Sequence, residues 1–561
     1  MLLTIGAAAQ PNSGDIIDYT SPNGTPLKIR FVQDASASNG LRADIYQNPG
    51  GATWADVIEI PSTVTYQGTD YTVLEISSYA FNNWNKATGV ILPSTITKIN
   101  NNAFAGCVLM KTANLEQLTN LTTIGNFAFQ NCKVLAGELK LPANITTLGD
   151  KVFLNCNALS GNLTLPASLK TIGNECFRGC SAMKGTLMLN EGLESVGQRA
   201  FYYTKFIGSL SVPQSVTTLA AQAFFHSAHW TSVSFAAGSQ LASIGKTAIN
   251  NDATSGNVFG NVDQYIDMDA CTGMVNEATG SDIFNRGTGN DIFSGTYAWT
   301  LIYLPSGKGF SGSEQTSQNF VHDGTCVKLK VYDTKPCPIL HPFTATTATY
   351  TGRDFAAGSY NTLCLPYPTA IPAGAKAYTL QSFDQAQATA TFIPFNGASL
   401  AANTPYLLAF DANATPIAAA SEAYMEQNCD VPVSPALMPN TSGNPAFIGT
   451  TVRLTNAEVT TQYTAPYNLN TDQAWYPITT SNAADHVEPF RGFIDLPGSN
   501  AAKVLMVLDD TATGISTVSI NDLNDGYHTF YTPDGKAAGT NLDSLPSGQM
   551  YVISGKKIYK P

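Results

Sequence analysis

Four cysteines, Cys107, Cys132, Cys156 and Cys180, recur at spacings of 25, 24 and 24 residues, and thiols are the first groups in this sequence equipped for chemistry. Ten cysteines in all would allow a disulfide framework, a metal site or a redox pair. No Cys-x-x-Cys occurs, however, and each of the four follows a phenylalanine by three positions. They read as one buried column in which sulfur packs as a small apolar group, with Cys176 in a column otherwise filled mostly by alanine. Cys326 and Cys337 could pair, since spacing alone does not fix connectivity. His226 and His229 have the i, i+3 spacing of two metal ligands on a helix, but no carboxylate lies in their segment, so a solvent-facing pair is the better reading. Asp263, Asp267, Asp269, Asp282 and Asp291 offer oxygen ligands of the kind calcium takes, in the spacing of no known calcium loop. A solvated acidic face is expected there. Ile244-Gly245-Lys246-Thr247 imitates the end of a phosphate-binding loop, yet Gln240 stands where its first glycine belongs. No zinc-protease signature, nucleophile motif or distinctive pair of acids stands out. The expectation is a protein without catalytic residues, cofactor or metal.

The composition points the same way. Of 561 residues only 12% are charged while 43% are hydrophobic, so a large core can be buried. A net charge of −12 excludes nonspecific binding of nucleic acid or acidic lipid as the main activity. No run of 18 apolar residues offers a membrane-spanning helix. The 46 glycines and 30 prolines are the punctuation of a β-rich, many-turned chain.

The element that positions these residues is a repeat. An apolar residue followed five positions later by phenylalanine occurs at Ile76/Phe81, Ile99/Phe104, Ile124/Phe129, Leu148/Phe153, Ile172/Phe177, Val196/Phe201 and Leu219/Phe224. Ile244/Ile249 is an eighth copy without the ring, and successive Phe positions differ by 23 to 25 residues. One such coil cannot bury its apolar face alone, whereas stacked coils share a continuous core. Short apolar-polar-apolar strands should stack in parallel, as at Leu139-Lys140-Leu141-Pro142, Leu163-Thr164-Leu165-Pro166, Leu187-Met188-Leu189 and Leu210-Ser211-Val212-Pro213. The phenylalanines should fill the far side of each coil.

The units Leu141-Pro142-Ala143-Asn144-Ile145-Thr146-Thr147-Leu148-Gly149-Asp150-Lys151-Val152-Phe153-Leu154-Asn155-Cys156 and Leu165-Pro166-Ala167-Ser168-Leu169-Lys170-Thr171-Ile172-Gly173-Asn174-Glu175-Cys176-Phe177-Arg178-Gly179-Cys180 resemble BspA-type leucine-rich repeats. The segments Ile58–Tyr66 and Tyr71–Ile76 resemble that family's first coil. The resemblance implies a surface-exposed binding or adhesion role, with proteins of host or neighbouring cells as partners, host matrix proteins among them. It transfers no catalytic residue.

The remaining chain divides around this solenoid of residues 57–250. Residues 1–9, ending in Ala7-Ala8-Ala9, read either as the remnant of a secretory signal or as a disordered start. Residues 15–56 read as an N-terminal cap, and 251–335 as irregular final coils and a further cap. Residues 340–508, with turn signals every 8–12 residues, read as a β-sandwich-like domain, and their segments Tyr360–Tyr367, Ala377–Leu380 and Leu400–Leu408 are similar to a β-module that follows such repeats in Bacteroidetes surface proteins. A short β-rich module at 515–561 resembles, through Tyr531–Lys536, Leu545–Gly548 and Tyr551–Lys557, the C-terminal tails of exported proteins of that phylum. Such tails can serve as sorting signals; a small β-module that merely ends the chain is the other reading.

Solenoids bind on their concave side, which makes the middle positions of the Leu-x-Leu strands the candidate face. These are Asn114, Lys140, Thr164, Met188, Ser211 and Ser234, continuing from Ile91, flanked by Glu138, Asn162, Thr186 and Ser209. The row is small, polar and nearly uncharged, without the aromatic series that stacks on sugars or bases. A secreted or cell-surface protein that binds other proteins is therefore expected. The alternative is a carbohydrate-binding or polysaccharide-processing accessory protein using residues 340–508.

Overall fold

The computed structural model describes residues 10–37, 40–46, 54, 56–225, 230–244, 262–271, 297–307, 318–418, 423–480, 486–509, 529–540, 544–546, 549–553 and 556–560. The chain forms two compact units, residues 1–317 and 318–561.

In the first unit three antiparallel strands, Ile16–Thr20, Pro26–Gln33 and Leu41–Tyr46, lead into the stack. Leu41–Tyr46 pairs in parallel with Thr69–Ile76, and from there a ladder of two-residue strands climbs the repeats. Its rungs are Lys98–Ile99, Thr123–Ile124, Thr147–Leu148, Thr171–Ile172, Ser195–Val196, Thr218–Leu219 and Ser243–Ile244, each parallel to the next. In every rung the aliphatic residue is buried, and strand alternation turns its polar neighbour outward. The repeat reading holds, and Ile244 occupies its expected rung. Ile249 lies outside the described residues.

Phe81, Phe104, Phe129, Phe153, Phe177, Phe201 and Phe224 are fully buried and stack ring on ring. Their centroids are 5.2–5.6 Å apart and their planes tilt by only 2–14°. Backbone geometry holds each ring in place. The residues two before each Phe (Tyr79, Asn102, Phe127, Lys151, Glu175, Arg199, Gln222) all have φ of 53–61°, the left-handed region. Asn83, Gly106, Asn131, Asn155, Gly179 and Tyr203, two after, repeat that conformation. Two left-handed residues bracket the ring and bend the chain tightly around it.

The Leu-x-Leu row differs from expectation. It pairs only in short groups: Val57–Glu59 with Gly89–Ile91 and Thr112–Ala113, Gly137–Glu138 with Leu159–Ser160, and Leu163–Thr164 with Leu187–Met188. A longer parallel group follows, of Gly208–Val212, Trp230–Phe235, Val262–Asp267 and Leu301–Tyr303. The continuous sheet is thus the Thr-Ile ladder and not this row. Prolines after the leucines remove donors, and Gly137, Gly161 and Gly208, at φ of 79–91°, turn the chain just before or within the strands. The 3₁₀ turn Leu115–Gln117 interrupts the row once more.

The second unit is a sandwich with added strands. A nine-stranded sheet runs, in spatial order, through Tyr360–Leu363, Tyr406–Phe410, Ala375–Asp384, Thr389–Pro394, Leu505–Leu508, Lys556–Lys560, Gln549–Ile553, Phe530–Tyr531 and Ala537–Gly539. A four-stranded sheet of Ala446–Thr450, Arg491–Asp495, Pro466–Leu469 and Trp475–Pro477 shares a core with it. Phe392, Leu407 and Met506 from one sheet meet Tyr467, Trp475 and Ile494 from the other. The C-terminal strands extend the larger sheet, with Val507 opposite Ile558, and Phe530, Leu545 and Tyr551 pack against Val507. A third sheet sets Thr325–Tyr332 parallel and Ala423–Val431 antiparallel to Phe343–Thr351.

Candidate functional site

The thiols are structural. Cys107, Cys132, Cys156 and Cys180 each donate S–H to the carbonyl of a phenylalanine in the preceding coil (Phe81, Phe104, Phe129, Phe153) at 3.2–3.3 Å. Burial pushes the Cys107 and Cys180 thiols up to about 12 and holds Cys132 and Cys156 well above their ordinary value. Such thiols are neutral donors and poor nucleophiles. Cys326 and Cys337 are both buried and not joined in a disulfide, which corrects the pairing considered above. Cys326 lies in a strand opposite Ala345, while Cys337 sits in the following loop with its N–H donated to Thr451.

The aspartates are also committed locally. Asp263 accepts from the Trp299 indole, Asp267 from the Asp269 N–H, and Asp269 from Ser306. Asp282, Asp291, His226, His229 and the Gly245-Lys246-Thr247 motif lie outside the described residues, as do residues 1–9. In the second unit the buried Asp333 is held by both Arg491 nitrogens, at 2.6 and 2.8 Å, and by the Tyr350 hydroxyl. Buried Asp495 accepts from the Ala465 N–H and the Asn440 amide. These carboxylates hold backbone and sheets together.

The predicted face divides into locked and presented side chains. Asn114 is spent on the fold: its amide bonds both the N–H and the carbonyl of Leu92 at 2.8 Å, standing in for a strand. Asn162 accepts from the Thr186 N–H at 2.8 Å and from its hydroxyl at 3.1 Å. Ser209 receives the Ser232 hydroxyl at 2.8 Å, and Ser234 is half-buried. Glu138, Lys140, Thr164, Met188 and Ser211 are exposed. Thr164 and Met188 are directly opposite in register. Asn114, Glu138 and Lys140 do come together, lining a cleft of about 200 Å³ with Glu116 and Gln117. Lys140 lies 3.8 Å from Glu116 there.

The polar reading of this row needs one amendment. Met188 is 59% exposed and Ile91 50%, so two apolar side chains stand proud of it. Ile207 and Tyr203, each 52% exposed, were not singled out from the sequence. Both fall after the repeat Phe in a coil one residue shorter than most, and that shortened spacing was the available signal.

Stacked short coils, a single-file aromatic core and a parallel ladder define a leucine-rich-repeat solenoid. Residues 58–184 and 158–270 match, in six copies, the family described as the BspA type leucine rich repeat region. No curated protein matches the chain. Among solved structures it is similar to a leucine rich cell surface protein of Faecalibacterium prausnitzii A2-165, at 18% identity and a TM-score of 0.34, over 57% of this chain and 90% of that one. A leucine-rich repeat protein of T. pallidum matches at 19% identity and a TM-score of 0.24, over 38% and 87%. One from Bacteroides ovatus ATCC 8483 matches at 18% identity and a TM-score of 0.24, over 54% and 93%.

Proposed function

We propose that this protein is exported and acts at or beyond the cell surface by binding other proteins, as an adhesin-like component without catalytic function. The observation that carries the reading is the exposed row on the matched repeats. Two-residue strands present Thr164 and Met188 at successive coils, with Lys140 exposed just past the strand of the coil before and Ile91 further along, while backbone polar groups beneath are bonded within the stack. A row of mixed small, polar and apolar side chains on a rigid frame suits broad protein contact. The accessory-protein reading would place a ligand in the second unit. One cleft there, of about 320 Å³, is lined mainly by apolar side chains (Ile339, Leu340, Val433, Pro435, Leu437) beside Asn403, Ser434, Thr450 and Thr451, and another of about 270 Å³ by Tyr463, Tyr467, Ser499 and Asn500; neither is a row of exposed rings for sugar stacking. The test is binding of the full chain to immobilised extracellular-matrix proteins, compared with Thr164→Arg/Met188→Asp. We expect affinity for at least one of them and a loss of roughly tenfold or more in the double variant, as for a central contact worth over 1.4 kcal/mol. Binding untouched by the double variant would remove the row from the site.

A further inference from the structure

A second surface of the repeat unit has a different chemistry. In the six coils from Phe81 to Phe201, the eight residues after each Phe contain Lys86, Lys111, Lys133, Arg178, Lys184 and Lys205, and no Asp or Glu at all. Residues 57–225 hold eleven Lys or Arg and nine Asp or Glu, so every one of those nine carboxylates falls elsewhere on the coils. The backbone joins these segments into one edge. The N–H groups of Asn83, Gly106, Asn131, Asn155 and Gly179 donate to Ala105, Gln130, Leu154, Arg178 and Tyr202 of the next coil at 2.7–2.8 Å. The Lys205 N–H donates to the Met183 carbonyl, which sets Lys205 beside Lys184 in the neighbouring coil. Lys86, Lys111, Lys133, Lys184 and Lys205 are all exposed, and none forms an ion pair among the described residues. Arg178 is bound to Glu175 at 2.6 Å, and the first carboxylate past the strip is Glu138.

We propose that this edge is a docking strip for an acidic polysaccharide, a polymer carrying a carboxylate on each or alternate sugar. Charge complementarity is the first argument: five exposed lysines, none ion-paired among the described residues, persist along this edge on a chain whose net charge is −12. Charge spacing is the second. The strip holds these five unpaired lysines over six coils, with none in the Phe153 coil, and coils repeat at the 5.2–5.6 Å of the ring stack. Duplex DNA presents one charge every ~1.7 Å, several times too dense for such a line. A polymer whose charges are separated by sugar rings matches it. The positions between the lysines supply the rest: exposed Asn83, Asn85 and Asn157 offer amide donors and acceptors to hydroxyls, and Tyr203 offers an exposed ring. The strip is independent of the protein-binding row, so either assignment stands if the other fails.

The full chain would be titrated with polygalacturonate, and in parallel with neutral dextran, polyglutamate and duplex DNA. Polygalacturonate should bind, dextran should not, and the affinity should fall steeply as salt is raised from about 50 to about 200 mM. Lys133→Ser/Lys184→Ser/Lys205→Ser should weaken binding by roughly tenfold or more, since each removes one counter-ion contact. Lys98→Ser/Lys170→Ser/Lys376→Ser changes the net charge equally at exposed positions elsewhere and should leave binding nearly intact. All six positions are on the surface, and thermal unfolding of both variants would verify the fold. The proposal fails if polygalacturonate does not bind, or if both triple variants lose affinity equally. It also fails if polyglutamate or DNA binds more tightly, which would reassign the edge to an acidic protein or to nucleic acid.

Discussion

In the four coils of Phe104, Phe129, Phe153 and Phe177 the core is held by one ring and one sulfur. Phe153 touches Phe129 and Phe177 through parallel ring faces and has no exposed surface. Phe153→Ala should therefore cost about 3–5 kcal/mol, read as a lower urea midpoint with an unchanged slope. The sulfur below it makes a separate prediction. With all ten thiols buried, and those of Cys107 and Cys180 pushed up to about 12 by burial, a thiol reagent at pH 8 should label none in the folded protein. All ten should react after denaturation, and fast labelling of the native chain would show that the column is open to solvent.

At the scale of the element, close approach of successive coils explains the glycine that follows four consecutive ladder rungs, Gly125, Gly149, Gly173 and Gly197. A Cβ on Gly173 would lie 2.4 Å from the Gly149 carbonyl carbon and 2.6 Å from the Asp150 nitrogen, both backbone atoms that cannot swing away. Beside it runs a polar ladder: the Asn126, Asp150, Asn174 and Gln198 N–H groups bond the side chains of Asn101, Asn126, Asp150 and Asn174 at 2.7–2.8 Å. Gly173→Ala should cost about 3 kcal/mol, the upper end for overpacking. Gly137, with φ of 91° and nothing within 4 Å of its missing Cβ, should lose only ~1–2 kcal/mol on the same change, from backbone strain alone. Equal losses would mean that coil spacing adapts. The repeat itself, its register and its sulfur column were legible in the sequence because period and residue size are one-dimensional signals. Which of two parallel rows becomes the continuous sheet was not. That choice rests on the prolines, the turns at Gly137 and Gly161 and the 3₁₀ turn that interrupt the Leu-x-Leu row, whereas the coils around the ring stack are bent by left-handed ordinary side chains such as Lys151 and Glu175. The candidate row was legible as a set of positions, but the use of Asn114 and Asn162 as backbone clamps depends on contacts between coils.

Across the whole molecule both units bury a carboxylate beside an arginine, Asp44 with Arg42 at 3.0 Å ahead of the first repeats and Asp333 with Arg491 in the second unit, and the latter gives a pH test. The repeats rest on apolar stacking and main-chain bonds, whereas the second unit buries an ion pair between Asp333, in the turn after Thr325–Tyr332, and Arg491 in another sheet. Burial works to raise the Asp333 carboxyl. The hydrogen bonds and charge of Arg491, with the Tyr350 hydroxyl, outweigh it and hold the group below its ordinary 3.8. A carboxyl depressed on folding adds stability that is fully present above the unfolded value near 4 and is lost as pH falls through the lower folded value. Asp333→Asn leaves the Arg491 charge buried without its partner, a change that typically costs about 3–5 kcal/mol. At pH 7 amide exchange in Phe343–Thr351 and Arg491–Asp495 should therefore speed up markedly in the variant, while the Phe153 coil is unaffected. As the pH is lowered below about 4 the wild-type strands should converge on the variant's behaviour. If the gap between them instead stays constant down to pH 2, the carboxylate contributes nothing specific, and the sheets are joined by packing around Tyr350 and Phe490 alone.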